Sequence, residues 1–305
     1  MKIGTIPSLV ATAVLVAAPA QAAAQDNARH FKPTGKWSLD YGDDYCRLAR
    51  TFSDGKDDLA LAIERIEPGQ LMRMILISNG IKMYRSADEI GWHFTPTDAE
   101  RKARYTKSET ADGKQYFNLG LFSLTPFVPP APGTPPAPPA PYSREKEQEA
   151  AKGMNGFVLD EGLTNPVQVD ADRLDAPIAA LQACADDLAK TWGLDAAKLK
   201  TQTSAAIPEG GGVGLLPQGI VAFADFPKLS GGSNQVRLMI DASGKPTSCT
   251  IHWATLEQAT NDRICKTLMA DTKFTPAKDA GGQPMAGYYI ASPTSLLPPF
   301  GGRRR

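Results

Sequence analysis

The chain has 305 residues, enough for about two domains at roughly 150 residues each. Its 33 Lys and Arg balance 33 Asp and Glu, so no net field draws it to nucleic acid, and an apolar content of 42% excludes a membrane protein and a disordered chain alike. Three histidines (His30, His93 and His252) and four cysteines leave few ligands for a metal site.

The first segment, 1–24, reads as a secretory signal. Lys2 supplies the positive start, Leu9 to Ala18 is apolar apart from Thr12, and Ala20-Gln21-Ala22 and Ala22-Ala23-Ala24 both fit an A-x-A cleavage site. The apolar run is about half of the ~20 residues that span a bilayer, so the expectation is a cleaved leader and a periplasmic protein. Export sets the reading of the cysteines: Cys46, Cys184, Cys249 and Cys265 are even in number and lack a C-x-x-C spacing, which points to two disulfides rather than a redox motif or zinc knuckle. Three pairings exist, and pairing within domains favours Cys46–Cys184 with Cys249–Cys265.

Residues 25–35 are polar and read as a frayed start to the first domain, with structure beginning near Trp37. Leu59–Ile66 and Leu71–Ser78 flank Glu67-Pro68-Gly69-Gln70, whose Pro-Gly order suits a type II turn, and form a hairpin. A second hairpin joins Ala103–Glu109 to Lys114–Leu124 through Ala111-Asp112-Gly113. The run from Pro126 to Tyr142 holds nine of the chain's 25 prolines. It is polyproline in character, with a reach of about 50 Å at ~3.1 Å per residue. It is either a spacer between domains or a loop within one, and a Cys46–Cys184 bond would make it a loop.

The clearest helix lies between Asp172 and Trp192. Leu174, Ile178, Leu181, Ala185, Leu188 and Trp192 recur at steps of three and four, with Asp172 as cap and Gly193 as stop. Cys184 sits at the edge of that face, placed for a bond to the domain's first segment. Residues 201–219, rich in Gly and Pro, read as a linker between a first domain at 30–200 and a second at 220–297, with 298–305 a basic tail.

The second domain has a compact pattern. Val236, Leu238 and Ile240 alternate with Arg237, Met239 and Asp241; Ala242 to Lys245 turns the chain; Thr247 to Trp253 returns, with His252 facing solvent. Thr255 and Gln258 suggest a capping box for a helix carrying Leu256, Thr260, Ile264 and Leu268. A last strand begins at Tyr288. These residues carry a resemblance. The D-x-x-G-K turn (Asp241, Gly244, Lys245), the helix, Phe274-Thr275-Pro276-Ala277, the D-x-x-G-Q-P approach (Asp279, Gly282, Gln283, Pro284), and Phe226-Pro227 upstream resemble the C-terminal domain of the TonB energy-transducer family. The likeness covers about 220–297. It implies a β-β-α-β fold whose helix packs on the sheet, bringing Cys249 and Cys265 together. It also implies that Tyr288, Tyr289, Ile290 and Ala291 form an edge strand able to pair with an extended peptide of an outer-membrane receptor.

Catalytic motifs are missing: there is no G-x-S-x-G, H-E-x-x-H, Walker A or EF-hand pattern. Ser53–Lys56 and Ser143–Lys146 have S-x-x-K spacing without the S-D-N and K-T-G partners, and Gly210–Gly214 reads as linker rather than a phosphate loop. His93 reads as a strand residue, the adjacent pairs Asp43/Asp44 and Asp186/Asp187 point apart, and the tryptophans suit packing. The sequence therefore predicts an α+β protein of two domains, β-rich first and TonB-C-like second. It predicts a non-catalytic envelope protein that binds a protein partner, with no nucleic acid, metal or small-molecule cofactor. A membrane-anchored transducer requires a retained leader. An exported enzyme requires a first-domain pocket gathering Asp43, Asp44, Arg47 and His93.

Overall fold

The computed structural model describes residues 28–96, 99–125 and 142–299. The leader, the proline run at 126–141 and Arg303 to Arg305 lie outside these residues. The chain contains both strands and helices and is dominated by one large sheet. Its strands are β1 (Arg29–Pro33), β2 (Ser38–Tyr41), β3 (Cys46–Ser53), β4 (Asp58–Arg65), β5 (Met72–Ile77), β6 (Glu89–Thr95), β7 (Arg101–Arg104), β8 (Thr106–Glu109) and β9 (Gln115–Phe122). After α1 (Arg144–Gly153) come β10 (Gly156–Glu161), β11 (Val167–Asp170), α2 (Asp175–Thr191) and α3 (Ala196–Lys200). The sheet order is β7-β6-β10-β11-β1-β3-β4-β5-β9-β8, with β2 beside β3.

Two features fold this sheet around one core. Residues 29–33, expected to be a frayed start, instead form β1, which divides its pairing: Arg29 to Phe31 run parallel to β11, while Lys32 and Pro33 pair antiparallel with β3. The predicted strand Ala103–Glu109 is broken at Tyr105, so that β7 pairs with β6 and β8 pairs with β9. The chain thus steps from one half of the sheet to the other. The halves meet through aromatic side chains; Trp92 of β6 lies 5.6 Å from Phe122 of β9 in an edge-to-face contact. Leu48 and Phe52 of β3, and Leu59, Leu61 and Ile63 of β4, alternate into this core as period-2 patterning requires.

The β4–β5 hairpin is present, paired from Ala60↔Ile77 to Glu64↔Arg73. Its tip differs from the expected type II turn. Gly69 is not in the left-handed region, and its N–H donates to the Glu67 carbonyl at 2.9 Å, a three-residue turn. Helix α2 buries Ile178, Leu181, Cys184, Ala185 and Leu188. Asp172 does not cap it. That residue has φ 57° and pairs with Arg50 at 2.9 Å, and Leu174 holds the cap position without a side-chain bond. The end follows expectation: Gly193 (φ 78°) donates to Lys190 O and Leu194 to Ala189 O, a Schellman closure that the missing Cβ permits. Cys184 is bonded to Cys46 of β3 across 138 residues, which stabilises by about 5 kcal/mol in the chain-entropy account.

Beyond α3 the chain forms β12 (Ile207–Pro208), a 3₁₀ segment (Phe223–Gly232), β13 (Gln235–Ile240), β14 (Pro246–His252) and α4 (Gln258–Asp271). It continues through β15 (Phe274–Thr275), β16 (Ala277–Lys278), β17 (Pro284–Met285), β18 (Gly287–Ala291) and α5 (Pro293–Leu296). A three-stranded antiparallel sheet has the order β14-β13-β18, and two-residue strands pair β12 with β15 and β16 with β17. Val236, Leu238, Ile264, Leu268 and Phe274 form a second cluster, to which the predicted linker 201–219 contributes Ala206 and Leu216. Cys249 and Cys265 are bonded, tying β14 to α4. Thr255 and Gln258 do not form a capping box. Glu257 holds the cap position, Thr255 Oγ1 donates to Lys228 O at 2.7 Å, and Asn234 Oδ1 accepts from the N–H groups of Thr255 and Leu256. Asn234, the residue just before β13, thus holds the segment that leads into α4, while the cap position itself has no side-chain bond.

Candidate functional site

The motifs of the second sheet are local devices that shape its turns. In Asp241-Ala242-Ser243-Gly244-Lys245, Asp241 Oδ1 accepts from Ser243 N, Ser243 Oγ and Lys245 N at 2.8, 2.6 and 3.0 Å. These donors, Ser243 Oγ foremost, hold the Asp241 carboxyl below its ordinary range. Gly244 has φ 85°, and a Cβ there would lie 2.0 Å from Phe274 O. The glycine therefore lets the β13–β14 turn sit directly on the Phe274 backbone, whose N–H donates to Gly244 O at 3.0 Å. Asp279 repeats the device before β17, with Oδ1 accepting from Gly281 N and Gln283 N at 2.9 Å each.

The sheet has two faces with different neighbours. Leu238 and Tyr289 are cross-strand partners, and the Tyr289 ring packs 5.4 Å from Phe274 within the second cluster. Burial raises the Tyr289 phenol. Tyr288 lies on the opposite face. Its ring meets Trp192 edge-on at 5.7 Å and its hydroxyl donates to Pro68 O at 3.1 Å, in the β4–β5 tip. Burial first, then the Glu67 carboxyl beside it, drives the Tyr288 phenol well above its ordinary range. The predicted edge residues Tyr288, Tyr289, Ile290 and Ala291 all lie on β18, which among the described residues pairs with β13 alone.

The Tyr288 face corrects the expected alternation. All six residues of β13 are buried, including Arg237, and His252 is buried rather than solvent-facing. The physical reason is that the large sheet and the end of α2 cover this face. Arg237 Nη2 donates to Asp44 Oδ1 at 2.8 Å and to Thr250 Oγ1 at 3.3 Å, and the guanidinium stacks 3.9 Å from the Trp192 ring. On the same side Arg73 stacks 3.9 Å from Trp253, and Asn118 Nδ2 donates to Gly231 O at 2.9 Å. Burial outweighs Asp44 and lowers the Arg237 pKa. Burial and then the Arg237 charge lower His252 to about 4, so its imidazole is neutral.

Of the four residues required for an enzymatic pocket, Asp44, Arg47 and His93 have separate partners. Asp44 pairs with Arg237, Arg47 with Glu64 at 2.7 Å, and His93 lies 3.6 Å from Asp160. Asp186 pairs with Arg144 and Lys200, and Asp187 with Lys190. Lys56 N and Lys146 N are fixed by Asp54 and Ser143 respectively, so both S-x-x-K segments are a turn and a helix cap. A cleft of about 380 Å³ lies on the outer face of β3, β4 and β5, floored by Ala49, Ala60 and Ala62 and ended by Arg47, Glu64 and Arg73. A second, of about 580 Å³, lies beside Lys245, Lys273 and Phe274. Neither is lined by a histidine or cysteine. Among the described residues no group of three or more His, Cys, Asp or Glu is placed to hold a metal, and no helix is long and apolar enough to cross a membrane.

Sequence reasoning missed two polar clusters. One is Asp44, Arg237 and His252. The other joins Arg65 to Glu147 at 2.6 Å, with Tyr142 and Gln182 both reaching Glu147 Oε2 at 2.7 Å. Glu67 adjoins the second cluster, and burial, opposed by Arg65 and Tyr288, raises its carboxyl to about 7. Only long-range packing assembles either cluster, so no local pattern announced them. No known protein family, curated protein or solved structure matches this chain.

Proposed function

We propose that the protein is a non-catalytic, exported component of the cell envelope, built as a β-rich unit at 30–200 and a TonB-C-like unit at 220–297. The second unit binds an extended segment of a protein partner along β18. The single observation behind this reading is that, among the described residues, β18 ends its sheet and pairs with β13 alone, leaving its outer backbone groups to another strand. The two disulfides support an oxidising compartment. The resemblance at Asp241–Lys245, Phe274–Ala277 and Asp279–Pro284 supports a periplasmic segment of an outer-membrane receptor as the partner.

The test is fluorescence anisotropy with labelled ten-residue peptides taken from the periplasm-facing segments of outer-membrane receptors of the host cell. Strand addition predicts micromolar binding that is lost when alternate peptide nitrogens are methylated and when Tyr289→Pro is introduced. Binding that survives N-methylation refutes edge pairing. No binding by any peptide refutes the receptor as partner.

A further inference from the structure

Strands β13 and β14 carry Gln235, Arg237, Thr250 and His252 on a face suited to water, yet the fold buries it. The burial is incompletely compensated. Arg237 Nε and Nη1, His252 Nε2 and Trp192 Nε1 are buried without a hydrogen-bond partner among the described residues. Each such atom costs free energy in the closed seam that hydration would return. Arg237 retains one carboxylate, Asp44, on the β2–β3 connection; the rest of the seam is held by Tyr288 on the Pro68 carbonyl, Asn118 on the Gly231 carbonyl, Arg73 on the Trp253 ring, and Met239 packed with Ala189 and Leu194. The chain crosses between the two sides in a short stretch. Lys200 is still paired with Asp186 at 2.9 Å, whereas Thr203 N already donates to Lys278 O.

We propose that the seam opens: the three-stranded sheet lifts off the large sheet about the crossing between α3 and β12, and the closed contact restrains β18 until it does. The opened state hydrates Arg237 and His252 and frees the Tyr288 flank of β18 from the Pro68 tip. The closed state is autoinhibitory in that it fixes the Tyr288 side of β18, while the outer backbone edge stays uncovered. That last step rests on the edge-binding reading above; the opening itself does not.

The experiment is acylation of the full oxidised chain by diethyl pyrocarbonate at pH 7, with each histidine read by peptide mass. His30, exposed on β1, and His93, part-exposed on β6, are internal controls. Asp44→Lys replaces the carboxylate on Arg237 with a like charge, and Tyr288→Phe removes the hydroxyl's contacts with the β4–β5 tip, the Pro68 carbonyl and the Glu67 carboxyl. Opening predicts that His252 reacts at least tenfold more slowly than His30 in the parent. It predicts that Asp44→Lys accelerates His252 tenfold or more with both controls unchanged, and that Tyr288→Phe gives a smaller increase. Unchanged His252 reactivity in both variants overturns the proposal. If Asp44→Lys accelerates all three histidines together, Tyr288→Phe decides, and no selective response there overturns it. Peptide anisotropy on the same variants separates the two readings. Tighter binding in parallel with His252 exposure supports autoinhibition. A selective His252 response with no peptide binding rejects edge binding and upholds the open state.

Discussion

Glu67 offers a sharp test of how the β4–β5 tip is held against β18. Its carboxyl adjoins Arg65 and the Tyr288 hydroxyl, and burial displaces its pKa from 4.5 to about 7. The unfolded chain ionises this group first, so folding is favoured at low pH. The contribution is complete below pH 4.5, declines as pH rises, and is lost above 7. At about 1.4 kcal/mol per pH unit the full displacement is worth about 3 kcal/mol; the side chain keeps some solvent contact, which reduces it to about 2 kcal/mol. Glu67→Gln cannot ionise. It should match the parent near pH 4 and exceed it by about 2 kcal/mol at pH 8, or roughly 4–8 °C in Tm for a protein of this size. Differential scanning calorimetry at pH 4, 5, 6, 7 and 8 reads the difference directly, and titrations common to both proteins cancel. Parallel Tm profiles across that range would refute the burial argument. A variant less stable at every pH would show instead that the carboxyl makes contacts with Arg65 and Tyr288 that the amide does not reproduce, whatever its charge.

His252 carries the opposite sign. Its pKa is lowered to about 4, so its stabilisation is present above pH 6.5 and lost as pH falls through 4; His252→Gln should flatten the acid limb of the stability profile by about 2–3 kcal/mol. An acid limb identical to the parent's sinks that account. Gly244→Ala should cost more than 2 kcal/mol in urea unfolding, because φ 85° and a 2.0 Å approach to Phe274 O act together. Gly282→Ala, at φ 75° with open space around it, should cost about 1 kcal/mol, and equal losses at the two sites would refute the close-approach argument.

Several elements were legible because their cause is local. The steps of three and four from Ile178 to Leu188 mark α2, and alternation from Leu59 to Ile63 marks β4. Asp241 and Asp279 shape turns with groups two and four residues away. The even cysteine count foretold two disulfides, both present. Helix α1 escaped notice because its sequence, REKEQEAAKG, is polar almost throughout and its buried Glu147 is satisfied by Arg65, 82 residues away. The break at Tyr105 escaped because β7 and β8 look like one strand until their partners are known.

The sequence by itself determined the Asp241 and Asp279 turns, the amphipathic elements and the supply of thiols, since each depends on neighbours within a few residues. Tertiary structure alone decided that β1 joins two halves of a sheet, and that Asn234 rather than Thr255 organises the start of α4. It also decided that the polar face of β13 is buried. Alternation in a strand says only that its two faces differ. Which face meets water depends on what the rest of the chain lays against it, and here Asp44 and Trp192, distant in sequence, cover Arg237 and His252.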